Sequence, residues 1–227
     1  MPTVLLARHA QASFGAADYD VLSERGRAQV AALLEGLRRR GIVPARVVSG
    51  TSRRHRDTAG PCAAAAAVDV ALDARWNEYD DADILTHHSA SGVRVERRPG
   101  DDVPAVSSRR FQEILNDALR KWIGAGASTP CRQAWPVFRA RVAAALAELA
   151  ADLTSGQSAL VVSSGGTIAA LSASLLGLPA QAFVTLNHVA VNAAITKVVL
   201  GRSGATLVSY NEHSHLEEAP GDLVSYR

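Results

Sequence analysis

What most constrains this chain is an early alternation between branched apolar runs and helical periodicity. Residues 3–7, TVLLA, are a short apolar run of the kind that forms a strand buried on both faces. Ser23 then offers an N-cap, Glu24 and Arg25 open a helix, and apolar residues recur at Val30, Leu33, Leu34 and Leu37 before Gly41 closes it. Val47 and Val48 form a second strand core. The segment from Arg53 through the alanine run at 63–67 reads as helix, since alanine has the best helix propensity. Strand, helix, strand, helix predicts a three-layer α/β/α fold, with a mostly parallel central sheet covered by helices on both faces.

The rhythm breaks between about 79 and 136, where an acidic patch at Asp80, Asp81 and Asp83 leads into a polar stretch to Asp102 and a helix around 111–123. We read this as a helical capping insertion within a single domain spanning 1–227. The sheet then resumes, with a helix at 135–153, a strand at 159–163, a glycine turn, a helix at 167–176, and strands near 193–200 and 206–209. Trp122 and Trp135 read as packing residues of their helices.

Composition excludes several classes of function. A length of 227 residues is ample for a hydrophobic core. No apolar run reaches the roughly 18 residues of a membrane span. The four apolar residues before Arg8 are too few for the core of a secretory signal, so a cytoplasmic protein is expected. Cys62 and Cys131 lie far apart, which argues against a disulfide framework or a thiolate metal site. The net charge is only +2, and scattered arginines do not make the basic face that nucleic acid requires. His87 with His88, and His213 with His215, lack the further ligands of a closed metal site.

Two strand ends carry the chemistry. The first ends in Arg8 and His9, which sets a guanidinium fork beside an imidazole at the sheet edge where polar residues gather into sites. A neutral imidazole nitrogen can attack phosphorus while arginines hold the nonbridging oxygens. The second ends in SGTSRRHRDTA, which brings Arg53, Arg54 and Arg56 to the same side, with Arg53 and Arg56 expected to face solvent.

On these residues the chain resembles the histidine phosphatase superfamily, also called phosphoglycerate mutase-like. The likeness runs from residue 3 to about 216. It rests on Arg8-His9-Ala10, where the family has Arg-His-Gly; on LSERGRAQV at 22–30; and on Thr58-Ala59, which by the family's spacing selects Arg54. The resemblance implies that His9 is the nucleophile, that Arg8 and Arg54 clamp phosphate, and that Glu78 in WNEYD protonates the leaving oxygen. A carboxylic acid with a raised pKa suits that last role.

In the family a second histidine stands in a Ser-His-Gly-Gly turn after a late strand. Here the turn reads Ser163-Ser164-Gly165-Gly166, so Ser164 replaces a cationic donor to the phosphoryl oxygens. If that resembles losing one oxyanion donor, the chemical step slows by roughly 10² to 10³. Gly165 and the following helix offer backbone N–H groups to an anion. His188, read as a polar residue near a strand, and His215, read as an anchor of the tail, are possible supporting residues.

The expected function is hydrolysis of a phosphomonoester through phospho-His9, acting on a small phosphorylated substrate or a phosphoprotein, with no cofactor or metal required. Two alternatives stand beside it. Ser164 and Ala10 motivate a catalytically weakened phosphate-binding or interaction module. A mutase-type phosphotransferase would use the same nucleophile with water excluded.

Overall fold

The computed structural model describes residues 1–13, 20–89 and 108–226. The stretch between the first strand and Ser23, at 14–19, and most of the polar stretch before Asp102 lie outside them. Six strands form one sheet among the described residues: β1 (Thr3–Arg8), β2 (Arg46–Ser49), β3 (Val70–Leu72), β4 (Ser158–Ser163), β5 (Ile195–Gly201) and β6 (Gly204–Glu212), in the order β3-β2-β4-β1-β5-β6. The first four in that order run parallel, whereas β5 is antiparallel to both β1 and β6, so the sheet is mixed with a parallel core.

Alternation along β1 assigns the two faces. Val4 and Leu6 pack into a cluster with Trp76, Trp122, Trp135, Phe138 and Phe183, while Leu5 and Ala7 pack with Leu33, Leu37, Ala59 and Cys62 on the other side. Trp122 and Trp135 meet edge to face, their centroids 5.4 Å apart, so both tryptophans pack as expected.

Helix α1 (Glu24–Arg39) starts at Ser23, whose hydroxyl accepts from Gly26 N at 3.0 Å, and ends before Gly41 at φ +63°. Helix α2 (Arg53–Ala66) stops within the alanine run because Ala67 turns left-handed at φ 55°. Helices α3 (Asp81–His88), α4 (Ser108–Ala125) and α5 (Trp135–Ala151) precede β4. Helices α6 (Gly165–Leu175), α7 (Ala182–His188) and α8 (Ser214–Glu217) follow it.

Three differences from the sequence reading have physical reasons. β3 is only three residues long, Val70–Leu72, too short a run to read as a strand, and Ala71 and Leu72 are exposed. α7 has only seven residues, about two turns, too short for a clear period. α6 opens at Gly165 rather than at 167, with Ser164 as its extended N-cap residue.

Sheet register sets the site. Arg8 pairs with Ser163, and Ser49 with Val162, so the carboxyl ends of β1, β4 and β2 finish level on one edge. The described tail returns to that edge: Gln29 Nε2 donates to Leu223 O and Ser225 Oγ, and Asn192 N donates to Ser225 O at 2.8 Å. Among the described residues no helix is long and apolar enough to cross a membrane.

Candidate active site

His9 is the first residue past β1. Its N–H donates to Ser163 O at 2.8 Å, and its carbonyl accepts from Asn192 Nδ2 at 3.1 Å. The ring is oriented by its own chain. Nδ1 lies 2.8 Å from the carbonyl oxygen of Ala10, which can only accept, so Nδ1 carries the proton and Nε2 the lone pair. Burial holds the His9 pKa well below the usual imidazole value, and the positive charge of Arg8, the neighbouring His55 and Arg54 push the same way. The result is a neutral imidazole with a bare Nε2.

Arg54 meets that nitrogen, its Nε–H donating to His9 Nε2 at 3.3 Å. Nη1 bonds Asp20 Oδ1 at 2.6 Å, and the other Asp20 oxygen accepts from Arg53 N at 2.6 Å, capping the start of α2. Thr58 fixes the turn, accepting from Ala10 N at 3.0 Å and donating to Arg54 O at 2.7 Å. One hydroxyl thus ties the first turn of α2 to the His9 loop, which is the physical sense of the spacing between Arg54 and Thr58. Arg53 and Arg56 are exposed, as expected. Arg8 Nη1 donates to Ala190 O and, at 2.9 Å, to Tyr226 O.

Glu78 follows a single 3-10 turn, Ala74–Trp76. Its Oε2 accepts from Gly166 N at 2.9 Å, at the start of α6, and its Oε1 accepts from Tyr79 N at 3.2 Å. Burial raises its pKa, and the two backbone bonds, Arg54 and Arg8 only partly oppose this. Gly166 has to be glycine, because a methyl there would overlap Glu78 Oε1 and the Tyr79 ring. Gly165 packs less closely, a Cβ there lying 3.0 Å from Asn187 Oδ1 and 3.4 Å from Arg8 Nε.

A family model described as the histidine phosphatase superfamily (branch 1) matches residues 4–213. The chain belongs to that superfamily. Solved structures share its architecture. A phosphoserine phosphatase mutant from Entamoeba histolytica, in complex with phosphoserine, is 17% identical with a TM-score of 0.69, covering 95% of this chain and 100% of that one. A mycobacterial glucosyl-3-phosphoglycerate phosphatase complexed with VO3 is 24% identical with a TM-score of 0.65, covering 93% and 99%. A putative alpha-ribazole-5'-P phosphatase from Escherichia coli is 21% identical with a TM-score of 0.65, covering 93% and 98%. At these identities the likeness is one of fold. Comparison with curated protein sequences found no match.

In this superfamily member the sequence reading overlooked one buried group. His55, hidden among arginines, is fully buried, with its ring centroid 5.4 Å from that of His9. Its Nε2 lies 2.7 Å from Ser164 Oγ. A signal was present, because 55, 58, 59 and 62 fall on one helical stripe, and His55, Thr58, Ala59 and Cys62 are all buried on α2.

Two supporting candidates are corrected. His188, read as a satisfied polar residue near a strand, is the exposed last residue of α7, a helix whose end is tied to β6 through Leu186 O and Val189 O. His215 is buried and bonds Ala193 O at 3.0 Å, packed against Gly36 of α1. That contact anchors the tail, as the sequence reading had it, and reaches His9 only through the backbone of Ala193, whose N–H donates to Arg8 O and His9 O.

Among the described residues one other grouping could offer metal ligands: Asp83, His87 and Cys131, with donor atoms within 4.8 Å of one another. Asp83 Oδ2 already accepts from Arg132 N at 2.8 Å.

Proposed function

We propose that this protein is a phosphomonoesterase that works through a phosphorylated His9. The observation that carries the reading is the His9 tautomer, with Nδ1–H held by Ala10 O and the Nε2 lone pair turned toward the Arg54 guanidinium. An electrophile held by that guanidinium would meet the lone pair directly. Nε2 forms a bond to phosphorus, the ester P–O bond breaks, and the departing oxygen takes the Glu78 proton. Water then attacks phosphorus, gives a proton to Glu78 and breaks the N–P bond, releasing phosphate. Arg8, Arg54, Ser164 and the N–H groups opening α6 hold the nonbridging oxygens. His9 and the arginines provide the nucleophile and the charge that this route needs.

Among the described residues of the segment 79–136, Trp122 packs against Tyr79, which backs Glu78 in this reading. The substrate is a small phosphorylated molecule or a phosphoprotein, in keeping with the phosphoserine, glucosyl-3-phosphoglycerate and alpha-ribazole phosphate named for the structural neighbours. We place the protein in the cytoplasm, where the buried free thiols of Cys62 and Cys131 suit a reducing compartment.

The test is turnover of an aryl phosphate with chelator present, together with trapping of the phosphoenzyme by denaturation at alkaline pH. Turnover and an acid-labile phosphoryl adduct in the native protein, both lost in His9→Ala, are the expected result. Turnover that survives His9→Ala overturns the reading.

A further inference from the structure

We propose that His55 is a positioning residue for phosphoryl transfer: its Nε2–H donates to Ser164 Oγ and so commits the Ser164 hydroxyl to giving its own hydrogen to a phosphoryl oxygen. This rests on the phosphatase reading above and adds a residue to it.

The argument begins with the two nitrogens of His55. Nε2 is 2.7 Å from Ser164 Oγ, and both residues are buried. Nδ1 is buried too and has no partner among the described residues. It faces Gly50, where a methyl would overlap Nδ1 and come within 2.9 Å of Cε1. One nitrogen of a neutral imidazole carries the hydrogen. Placed on Nδ1 it would be an orphaned buried N–H, which native structures rarely keep, whereas an orphaned lone pair is better tolerated. The hydrogen therefore sits on Nε2 and points at Ser164. Burial and Arg54 lower the His55 pKa to about 3, so the ring stays neutral and this assignment holds at ordinary pH.

The second half concerns where the serine hydrogen goes. Ser164 is the N-cap residue of α6, yet its side chain makes no capping bond, and among the described residues its one recorded partner is His55. With its oxygen accepting from the imidazole, the hydroxyl hydrogen has no protein acceptor there. β-sheet register places Ser164 beside His9, since Arg8 pairs with Ser163, and the two imidazole rings are 5.4 Å apart. A phosphoryl group on His9 Nε2 would lie among Arg54, Ser164 and the start of α6, and one of its oxygens would take the orphaned hydrogen. The site thus gains an oriented neutral donor where Arg8 and Arg54 already crowd positive charge.

The test compares Ser164→Ala, His55→Ala, His55→Gln and the double Ser164→Ala/His55→Ala in aryl phosphate turnover and in orthovanadate affinity by calorimetry. The expected result is that Ser164→Ala and His55→Ala each lower kcat by about 10²-fold, the scale of one lost oxyanion donor, with KM little changed. The double variant should be no slower than either single, because the two act as one unit. His55→Gln, whose amide N–H can still reach Ser164 Oγ, should recover most of the loss. ¹⁵N NMR of the native protein should show the His55 proton on Nε2.

Native kcat in Ser164→Ala, multiplying losses in the double variant, or a proton on Nδ1 overturns the proposal. Should His55→Ala fail to fold, Ser164→Ala against His55→Gln carries the comparison. Vanadate binding without turnover would remove the phosphatase reading alone and leave the coupling readable in the affinities. Neither binding nor turnover would overturn both.

Discussion

The Nε–H of Arg54 points at Nε2 of His9, the proposed nucleophile, across 3.3 Å. The guanidinium thus meets the lone pair it is proposed to serve. Arg54 is held from behind by Asp20 at 2.6 Å, so its fork has a fixed direction. A lysine offers a point charge without that fork. Arg54→Lys is expected to lower kcat/KM for aryl phosphates by about 10²-fold or more, the effect of one misplaced transition-state donor. Steady-state kinetics with an unchanged melting temperature would establish it.

The pH dependence follows from two opposed shifts. Attack needs His9 neutral, and its pKa lies well below 6.5, while protonation of the leaving group needs Glu78 as the acid, and its pKa is raised above 4.5. Activity therefore rises on the acid side as His9 loses its proton and falls on the alkaline side as Glu78 ionises. Glu78→Gln should remove the alkaline limb and slow alkyl esters by about 10² to 10⁴. Aryl esters, with their better leaving group, should suffer less. Rate profiles for the two ester types check both points.

Stability should also fall in acid, for a different reason. His9 and His55 are buried neutral, whereas in the unfolded chain each takes up a proton near its ordinary value of 6.5. As pH falls below that value the unfolded state binds protons that the native state refuses, so stability decreases until the native ring titrates, at about 3 for His55. Above 6.5 these two groups add no pH dependence. Thermal melts across the window should show the decline, with a shallower slope in His55→Gln.

Gly166→Ala tests whether the general acid depends on its seat. The added methyl overlaps Glu78 Oε1 and the Tyr79 ring, so the carboxyl group has to leave the Gly166 amide. Activity should drop by about 10² or more, as when a proton donor is lost, and turnover of alkyl and aryl esters read side by side would show it.

Gln29 tests the tail. It accepts from Gln11 N at 2.8 Å and donates to Leu223 O and Ser225 Oγ. Gln29→Leu removes all three bonds at a fully buried position, where a lost partner costs about 1–3 kcal/mol, and should lower unfolding free energy by about 2 kcal/mol in urea titration.

The legibility of the site tracks how each residue is placed. Arg8, His9 and Ser164 stand where apolar strand runs stop, and Arg54 opens the helix after β2, so run ends and caps locate them. Glu78 follows an exposed three-residue strand and a 3-10 turn that carry no such pattern, and only the family likeness marked it. His55 sits between two arginines, which drew attention to charge and away from the helical stripe that buries it. The links from Gln29, Asn192 and Ser225 were invisible because they run largely through backbone groups, which any sequence possesses.

That tail gives the protein an order of completion. A nascent chain ending at Gly221 already contains Arg8, His9, Arg54, Glu78 and Ser164, yet lacks the carbonyl of Tyr226 that receives Arg8 and the carbonyl of Ser225 that receives Asn192. Catalytic competence therefore waits for residues 222–226, and a chain interrupted at Gly221 would hold every reactive group without these two braces.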